Sequence, residues 1–365
     1  MAMKYLAVLV TGVGAPGVKG TVHSLRHNND GTNVKVVGVD QRRDAVGRHF
    51  VDSFHSVPSA NDEAYVPRLL EISKKEGVDV ILPQTTREIA VLSAARDVFA
   101  SRGVKLVVSS AKAIKAANNK GKLLELAARL GLPHPRFRLV LNIKELEEAA
   151  EELGYPEKPV VVKPPVSNGM RGVRILMEDY WNPRRFLEEK PNGLITTLNE
   201  LKRVFQDQEE KMPELLVSEY LPGPEYSVDA FQGKQAFVAL PRLRKSIRSG
   251  ISFEAVVENR ADLVFQTNRM AGALGLQYAF GFQFKLDEDG VPKVLECNPR
   301  VQGTMIVSTL AGLNLIWWSV KETLGYLVKE EEVLSALRKV QDANVAFYRY
   351  WGGVGTVDGK AVLIV

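Results

Sequence analysis

The most constraining stretch of this 365-residue chain is its first forty residues. An apolar run over residues 5–10 breaks at Thr11-Gly12-Val13-Gly14-Ala15-Pro16-Gly17, and a helix through Val22 and Leu25 follows. A second apolar run, residues 34–39, closes on Asp40. Strand, glycine loop, helix, strand is a βαβ start. Gly12, Gly14 and Gly17 match the fingerprint Gly-x-Gly-x-x-Gly, whose glycines permit close backbone approach while the helix N-terminus favours an anion. Pro16 removes one backbone donor that such a loop would offer. The stretch identifies a Rossmann-like fold ahead of any nicotinamide cofactor.

The alternation continues. Val66, Leu69, Leu70 and Ile72 stand at helical spacing, residues 78–82 read as a strand, and Pro83-Gln84-Thr85-Thr86 forms a polar loop. Residues 88–100 predict a helix, 104–108 a strand, and Ser110 starts another helix. Repeated β-α order predicts a parallel sheet covered on both faces. Ligands of such sheets sit at the carboxyl ends of strands, so residues 12–17 and 84–87 form an expected binding rim. The second is equally an ordinary loop with an N-cap at Thr85 or Thr86.

At this length two or three compact units are expected. The division predicted is a Rossmann-like domain over 1–112, a linker helix and small lobe over 113–215, and a large lobe over 216–365. A net charge of +5, with basic residues spread among acidic ones, points to an anionic small ligand rather than nucleic acid. The single Cys297 excludes an internal disulfide and a cysteine metal cluster, and fits a reducing compartment. No apolar run reaches membrane-spanning length, and residues 1–4 lead straight into a strand rather than a signal peptide. The expected location is the cytoplasm, with no membrane partner.

Residues 111–130 carry one long helical pattern that stops at Gly131, before Leu132-Pro133-His134-Pro135. After a short helix, residues 159–164 form a strand ending in Lys163. The loop Ser167-Asn168-Gly169-Met170-Arg171-Gly172 then precedes another strand. This is either a hairpin whose loop folds over phosphates or an ordinary surface hairpin. Residues 178–194 read as an irregular surface insertion. Strands follow over 215–221, 225–231 and 235–240, the first two separated by Pro222-Gly223-Pro224. Arg242, Arg244, Lys245 and Arg248 form a basic run expected between strands, either a solvated face or a seat for an acidic group. Residues 280–286 and 293–296 form an antiparallel pair around Asp287-Glu288-Asp289-Gly290. That pairing lets Gln283 lie near Glu296 on one face. Glu296 and Asn298, two apart on an extended backbone, also share a face. A carboxylate and an amide oxygen are hard ligands suited to magnesium when phosphate oxygens complete the shell. Arg300 adds a fork for phosphate or carboxylate. Residues 310–324 predict a core helix, and the aromatic tail from Phe347 packs back.

In this order the features resemble the ATP-grasp superfamily, and within it the single-unit proteins similar to the carbamoyl-phosphate synthetase large chain. The resemblance covers residues 8 to about 324. It implies a mixed α/β and α+β multidomain chain, a Rossmann-like domain followed by a two-lobed ATP-grasp fold. It implies that Lys120, eleven residues before Gly131, binds phosphate, with Lys122 the nearby rival. Lys163 would contact the α- and β-phosphates, and Ser167, Gly169 and Gly172 would belong to the mobile phosphate loop. Backbone groups of Glu219 and Leu221 would read adenine, although Ser218 replaces a glutamate common in the family. Glu225 would take the ribose hydroxyls, and Gln283, Glu296 and Asn298 the metal. Gln283 is neutral where many members carry an acid. Arg300 would steady the transferring phosphoryl group, with Lys163 beside it in catalysis.

The resemblance therefore implies an ATP-dependent carboxylate–amine ligase using Mg2+ or Mn2+. Its partners are small-molecule carboxylates and amines, and a homodimer is left open. A stand-alone phosphorylating enzyme of carbamate chemistry is the first alternative. An NAD(P)-dependent oxidoreductase, resting on Gly12, Gly14, Gly17 and Asp40, is the second. A nucleotide-binding regulator without turnover is the third.

Overall fold

The computed structural model describes residues 5–167, 169–190, 193–205, 212–341, 344–350, 352–357 and 360–364. The chain forms two compact units. Unit 1 comprises Met1–Ala117, Glu225–Gln283 and Cys297–Val365; unit 2 comprises Asn118–Pro224 and Phe284–Glu296.

Unit 1 begins with the predicted parallel sheet. Its strand order is Ser53–Ser56, Asn33–Asp40, Tyr5–Val10, Val80–Leu82, Lys105–Leu106. Side-chain alternation splits its apolar residues between two cores. Val8, Val10, Val36 and Val80 join Val22 and Leu25 of the helix Val18–Arg26 on one face. Leu9, Val37 and Ile81 join Leu69, Ile72 and Ile89 on the other. Val8 and Leu9 are fully buried, each worth about 1.5–3 kcal/mol of removed apolar surface. The helix expected over 88–100 is two, Thr86–Ala94 and Arg96–Ala100, divided at Ala95.

The rest of unit 1 is built on an antiparallel sheet. Glu225–Gln232 pairs with Phe237–Arg248, that strand with Ile251–Val257, and the last with Ala346–Tyr348. Tyr278–Leu286 and Pro292–Asn298 complete the order at the other edge, their residues 284–296 being counted in unit 2. The basic run does not lie between strands, as expected, but on one. Phe237–Arg248 runs through it and turns at Ser249 and Gly250, both at positive φ, into a strand the sequence reading missed. Arg242 and Arg244, two apart, face the same way, and both are buried. A register shift at Arg244/Ser246 then alters the phase, and Lys245 and Arg248 are exposed.

The core helix expected over 310–324 is also two, Ile306–Leu310 and Leu315–Leu324, separated where Gly312 takes φ 97°. Asn314 caps the second, its side-chain oxygen accepting from Trp317 N at 3.0 Å. Trp317 and Trp318 are both buried. A further helix, Glu330–Gln341, follows.

Unit 2 holds a five-stranded sheet in the order Phe137–Val140, Leu215–Glu219, Val160–Lys163, Arg174–Leu176, Ile195–Thr196. The helix Ile143–Glu152 covers it, packing Leu146 and Ala149 against Val162, Leu215 and Val217. The long helix predicted over 111–130 is broken. Ala111–Ala117 ends in unit 1, and Lys120–Arg129 starts afresh because Asn119 turns extended and accepts from Lys122 N at 2.9 Å. The break places Lys120 at the first helical position. The stretch 178–194, expected to be irregular, contains a short helix, Pro183–Glu188, capped by Asn182. Among the described residues no helix is long and apolar enough to cross a membrane.

Candidate functional site

Unit 2 brings three of the expected site residues together. Lys120 is only 5 % exposed. Its Nζ donates to the Ser167 carbonyl at 3.0 Å and to Ser167 Oγ at 3.4 Å, and lies 3.6 Å from Glu296 Oε2. Its backbone N–H is given to Pro165 O at 2.8 Å. The start of the loop is therefore tied to the lysine by both main chain and side chain. Beyond it Gly169, Met170 and Gly172 all take positive φ, and a Cβ on Gly172 would stand 2.7 Å from Pro164 Cγ. Only glycine meets both conditions at 172 without strain. Asn168, part of the expected loop, lies outside the described residues. Lys163 ends the strand Val160–Lys163 opposite Leu216, with a buried side chain.

At the end of Leu215–Glu219, Glu219 N donates to Arg136 O at 3.0 Å. Its carboxylate is held by Lys293 at 2.6 Å and Arg136 at 3.2 Å. Burial pushes this carboxyl up, but the hydrogen bonds from Lys293 and Arg136 outweigh it and leave it below the ordinary range. The side chain is thus occupied by two cations. A role for Glu219 in reading a base falls to its carbonyl rather than its carboxylate. Leu221, two residues on, is buried.

Unit 1 holds the remaining set. Arg300 donates Nη2 to Asn298 Oδ1 at 3.0 Å, Nε to Thr86 Oγ1 at 3.0 Å and Nη1 to Val301 O at 2.8 Å. Thr86 belongs to the polar rim expected at residues 84–87, but its bond to Arg300 has no local sequence signal. Gln84 of the same rim is instead buried, accepting from Thr21 Oγ1 at 2.7 Å. Glu225 is paired with Arg244, whose remaining donors reach Ser252 Oγ at 2.8 Å and Gly250 O at 2.7 Å. Gln283 is half-buried on its strand. Cys297 is buried between the part-exposed Glu296 and Asn298, as alternation along a strand requires.

A family model described as "ATP-grasp in the biosynthetic pathway with Ter operon" matches residues 211–346, and one described as "PylC-like, N-terminal domain" matches residues 8–107. Residues 211–346 are thus similar to an ATP-grasp domain. It is 25 % identical over 281 residues to the carbamoyl phosphate synthase large chain of Clostridium acetobutylicum, covering 74 % of this chain and 24 % of that one. It is 25 % identical over 322 residues to the formate-dependent phosphoribosylglycinamide formyltransferase of Ignicoccus hospitalis, covering 83 % and 72 %. The chain thus spans about a quarter of the synthase large chain it matches. Its fold is similar to that of N5-carboxyaminoimidazole synthetase from Staphylococcus aureus complexed with ADP. That likeness has a TM-score of 0.66 at 17 % identity, over 90 % of this chain and 80 % of that one. The biotin carboxylase domain of Hydrogenobacter thermophilus 2-oxoglutarate carboxylase gives 0.67 at 17 % identity, over 91 % and 72 %.

The N-terminal glycine loop is used internally. Gly14 N donates to Asp40 Oδ2 at 2.7 Å, so the acid expected to hold a ribose holds the loop. Thr11 Oγ1 donates to Glu88 Oε2 at 2.5 Å, and burial pushes the Glu88 carboxyl up. A Cβ on Gly12 would stand 2.4 Å from Thr85 Cγ2, and one on Gly17 2.5 Å from Gly303 Cα. Packing thus accounts for two of the fingerprint glycines. With Gly14 N–H committed and two carboxylates at the loop, a dinucleotide pyrophosphate finds little to bind.

Of the residues expected to hold a divalent cation, Gln283 and Asn298 belong to unit 1 and Glu296 to unit 2, and their donors would be one carboxylate and two amide oxygens. Among the described residues no three His, Cys, Asp or Glu side chains cluster closely enough to cage a metal. Such a set suits magnesium, which binds through one or two protein oxygens plus substrate phosphates rather than an all-protein cage.

Proposed function

We propose that this chain is an ATP- and magnesium-dependent ligase that joins a carboxylate to an amine and releases ADP and phosphate. One observation carries the reading: the buried Lys120, tied to the start of a glycine-bearing loop and 3.6 Å from the carboxylate Glu296. A buried ammonium with a loop carbonyl as its nearest partner is a point charge ready for phosphate oxygens. The reading is supported by the ATP-grasp match, by the name of the formyltransferase relative, and by fold neighbours described with ADP and with MgADP.

In this reading the carboxylate substrate attacks the γ-phosphorus of ATP. An acyl phosphate forms and ADP leaves; the amine then displaces phosphate. The residues position groups and neutralise charge, and no covalent protein nucleophile is needed. Lys120 and Lys163 hold phosphate oxygens, and residues 167–172 cover them and exclude water from the acyl phosphate. The Glu219 carbonyl and the Leu221 N–H receive the adenine edge, and Glu225 the ribose hydroxyls. Arg300, steadied by Thr86, meets charge on the transferring group. Glu296 with Asn298 and Gln283 would hold magnesium, which when bound neutralises phosphate charge. Glu225 and Asn298 exchange their present bonds to Arg244 and Arg300 for ligand contacts.

The similarity to carbamoyl phosphate synthase large chains supports a second reading, in which the carboxylate is bicarbonate. Thermal-shift measurement followed by an ADP-release assay tests both. ATP with magnesium should raise the melting temperature and NADH should not; the reverse result ends the ligase reading. ADP release across amino acids, peptides and sugar acids then identifies the acid. Release with bicarbonate alone selects the second reading.

A further inference from the structure

Unit 1 contains a cavity of about 560 Å³ that the ligase reading does not use. That volume lies within the range of small-molecule sites, roughly 300–1,000 Å³. Its walls come from the start of the helix Val18–Arg26, from the segment after Arg300, and from the strand Ile251–Val257 with the tail that pairs on it. Its aromatic lining is Phe50, Phe253, Phe347, Tyr348 and Tyr350. Five aromatic side chains in one lining suit a flat apolar body.

The charged lining has one sign. Lys19 and Arg349 face the cavity beside His23, which burial and then His27 keep uncharged, and the described residues lining it include no Asp or Glu. Arg349 is half-buried. It donates to three neutral carbonyl oxygens, Pro16 at 2.9 Å, Gly303 at 3.1 Å and Ser252 at 3.3 Å. Those bonds fix the guanidinium without cancelling its charge. Burial, and then the repulsion of Arg242, lower its hold on the proton, a cost that an anion beside it would reverse. Lys19 is held over the Phe50 ring, 5.7 Å from its centre, which leaves its charge uncancelled as well.

We propose that this cavity binds a small molecule with a flat apolar body and a single anionic group, the body among the aromatic rings and the anion at Arg349. The aromatic tail is then one wall of a ligand site rather than a strand that only completes a sheet edge. Its failure is distinguishable from that of the ligase reading, because binding here is measured without nucleotide and the ligase reading is tested by ATP-dependent stabilisation and ADP release.

Isothermal titration of the full chain with 3-phenylpropionate, 3-phenylpropionamide and acetate tests it. The aromatic acid should bind about tenfold or more tightly than its neutral amide, the gain of a charge-assisted over a neutral hydrogen bond, and acetate should give no heat. Arg349→Gln should bring the acid down to the amide's affinity and leave the amide unchanged, while Arg349→Lys should retain a preference for the acid. Phe50→Trp, which fills the cavity from a site not bonded to Arg349, should weaken acid and amide alike, and keeps the test decisive should Arg349→Gln not fold. Equal affinity for acid and amide, binding undiminished by Phe50→Trp, or no heat from either aromatic compound at about 10 mM, would overturn the proposal.

Discussion

Two buried cations in this chain each stand beside a carboxylate, and the two pairs differ. In unit 1, Arg242 meets Asp229 through two hydrogen bonds of 2.9 and 3.2 Å, with both side chains essentially inaccessible. Gln302 accepts from the same arginine at 3.2 Å, and Ser308 donates to Asp229 at 3.1 Å. In unit 2, Lys120 is nearly as buried, but Glu296 is 28 % exposed and 3.6 Å away, and the lysine's nearest partner is a loop carbonyl. Burial of the cation does not separate the two cases. The partner does. A planar fork held through Nε and Nη2 by a buried carboxylate stays closed on that acid even though its Nη1 has no partner among the described residues, whereas a point charge resting on a loop and an accessible acid can exchange its partners for phosphate.

The largest expected effect lies on the closed side. Arg242→Ala should destabilise the chain by about 3–5 kcal/mol, because it strands the Asp229 charge in the core. Urea denaturation measures this. Replacing both partners, Arg242→Met with Asp229→Leu, should recover most of the loss, since two well-packed apolar groups need no partner. If Arg242→Ala keeps wild-type stability, the pair is not structural and the contrast fails.

On the open side the effects should fall on turnover. Lys120→Ala should shift stability by much less than Arg242→Ala does, because the part-exposed Glu296 is not stranded in a core when the lysine is removed. It should lower ADP release by about 100-fold or more, the usual result of removing one preorganised donor. Glu296→Ala should abolish ADP release with the fold retained. A Lys120→Ala protein that unfolds in mild urea, or a Glu296→Ala protein that turns over normally, would move that cluster to the structural class.

What was legible in the sequence follows the same division between local and distant causes. The parallel sheet was legible because Val8, Leu9, Val36 and Val37 are apolar at every position, as a strand buried on both faces must be. The order of Lys120, Lys163, residues 167–172 and Glu296 was legible as a resemblance. The helix breaks at Asn119 and Asn314 carried a signal, an asparagine able to cap, but apolar periodicity runs through both and masked it. The basic run was misplaced for another reason. Arg242 and Arg244 are buried by acids 13 and 19 residues earlier on the neighbouring strand, and local patterning does not report such partners. The bond from Arg300 to Thr86 spans 214 residues and left no trace either. Gly12 and Gly17 were read through a ligand fingerprint when close contacts with Thr85 and Gly303 already demand them.

A third acid–cation cluster lies between the two extremes and sharpens the contrast through pH. Glu76 in unit 1 meets Lys35 at 2.8 Å, His55 at 2.6 Å and Ser53 Oγ at 3.2 Å, with its side chain 12 % exposed. The hydrogen bond from Lys35, then that from His55, lower its carboxyl from 4.5 to about 2 against the opposing effect of burial. A carboxyl that releases its proton more readily when folded adds stability above the ordinary value. That stability fades as pH falls from about 4.5 toward 2. Glu76→Gln should therefore lower the melting temperature at pH 7, by less than Arg242→Ala does, because its partners keep some access to water. The gap between variant and wild type should narrow steadily below pH 4.5 and nearly close at about pH 2. A gap as wide at pH 2.5 as at pH 7 would show that Glu76 acts through packing rather than charge, and would place it with neither pair.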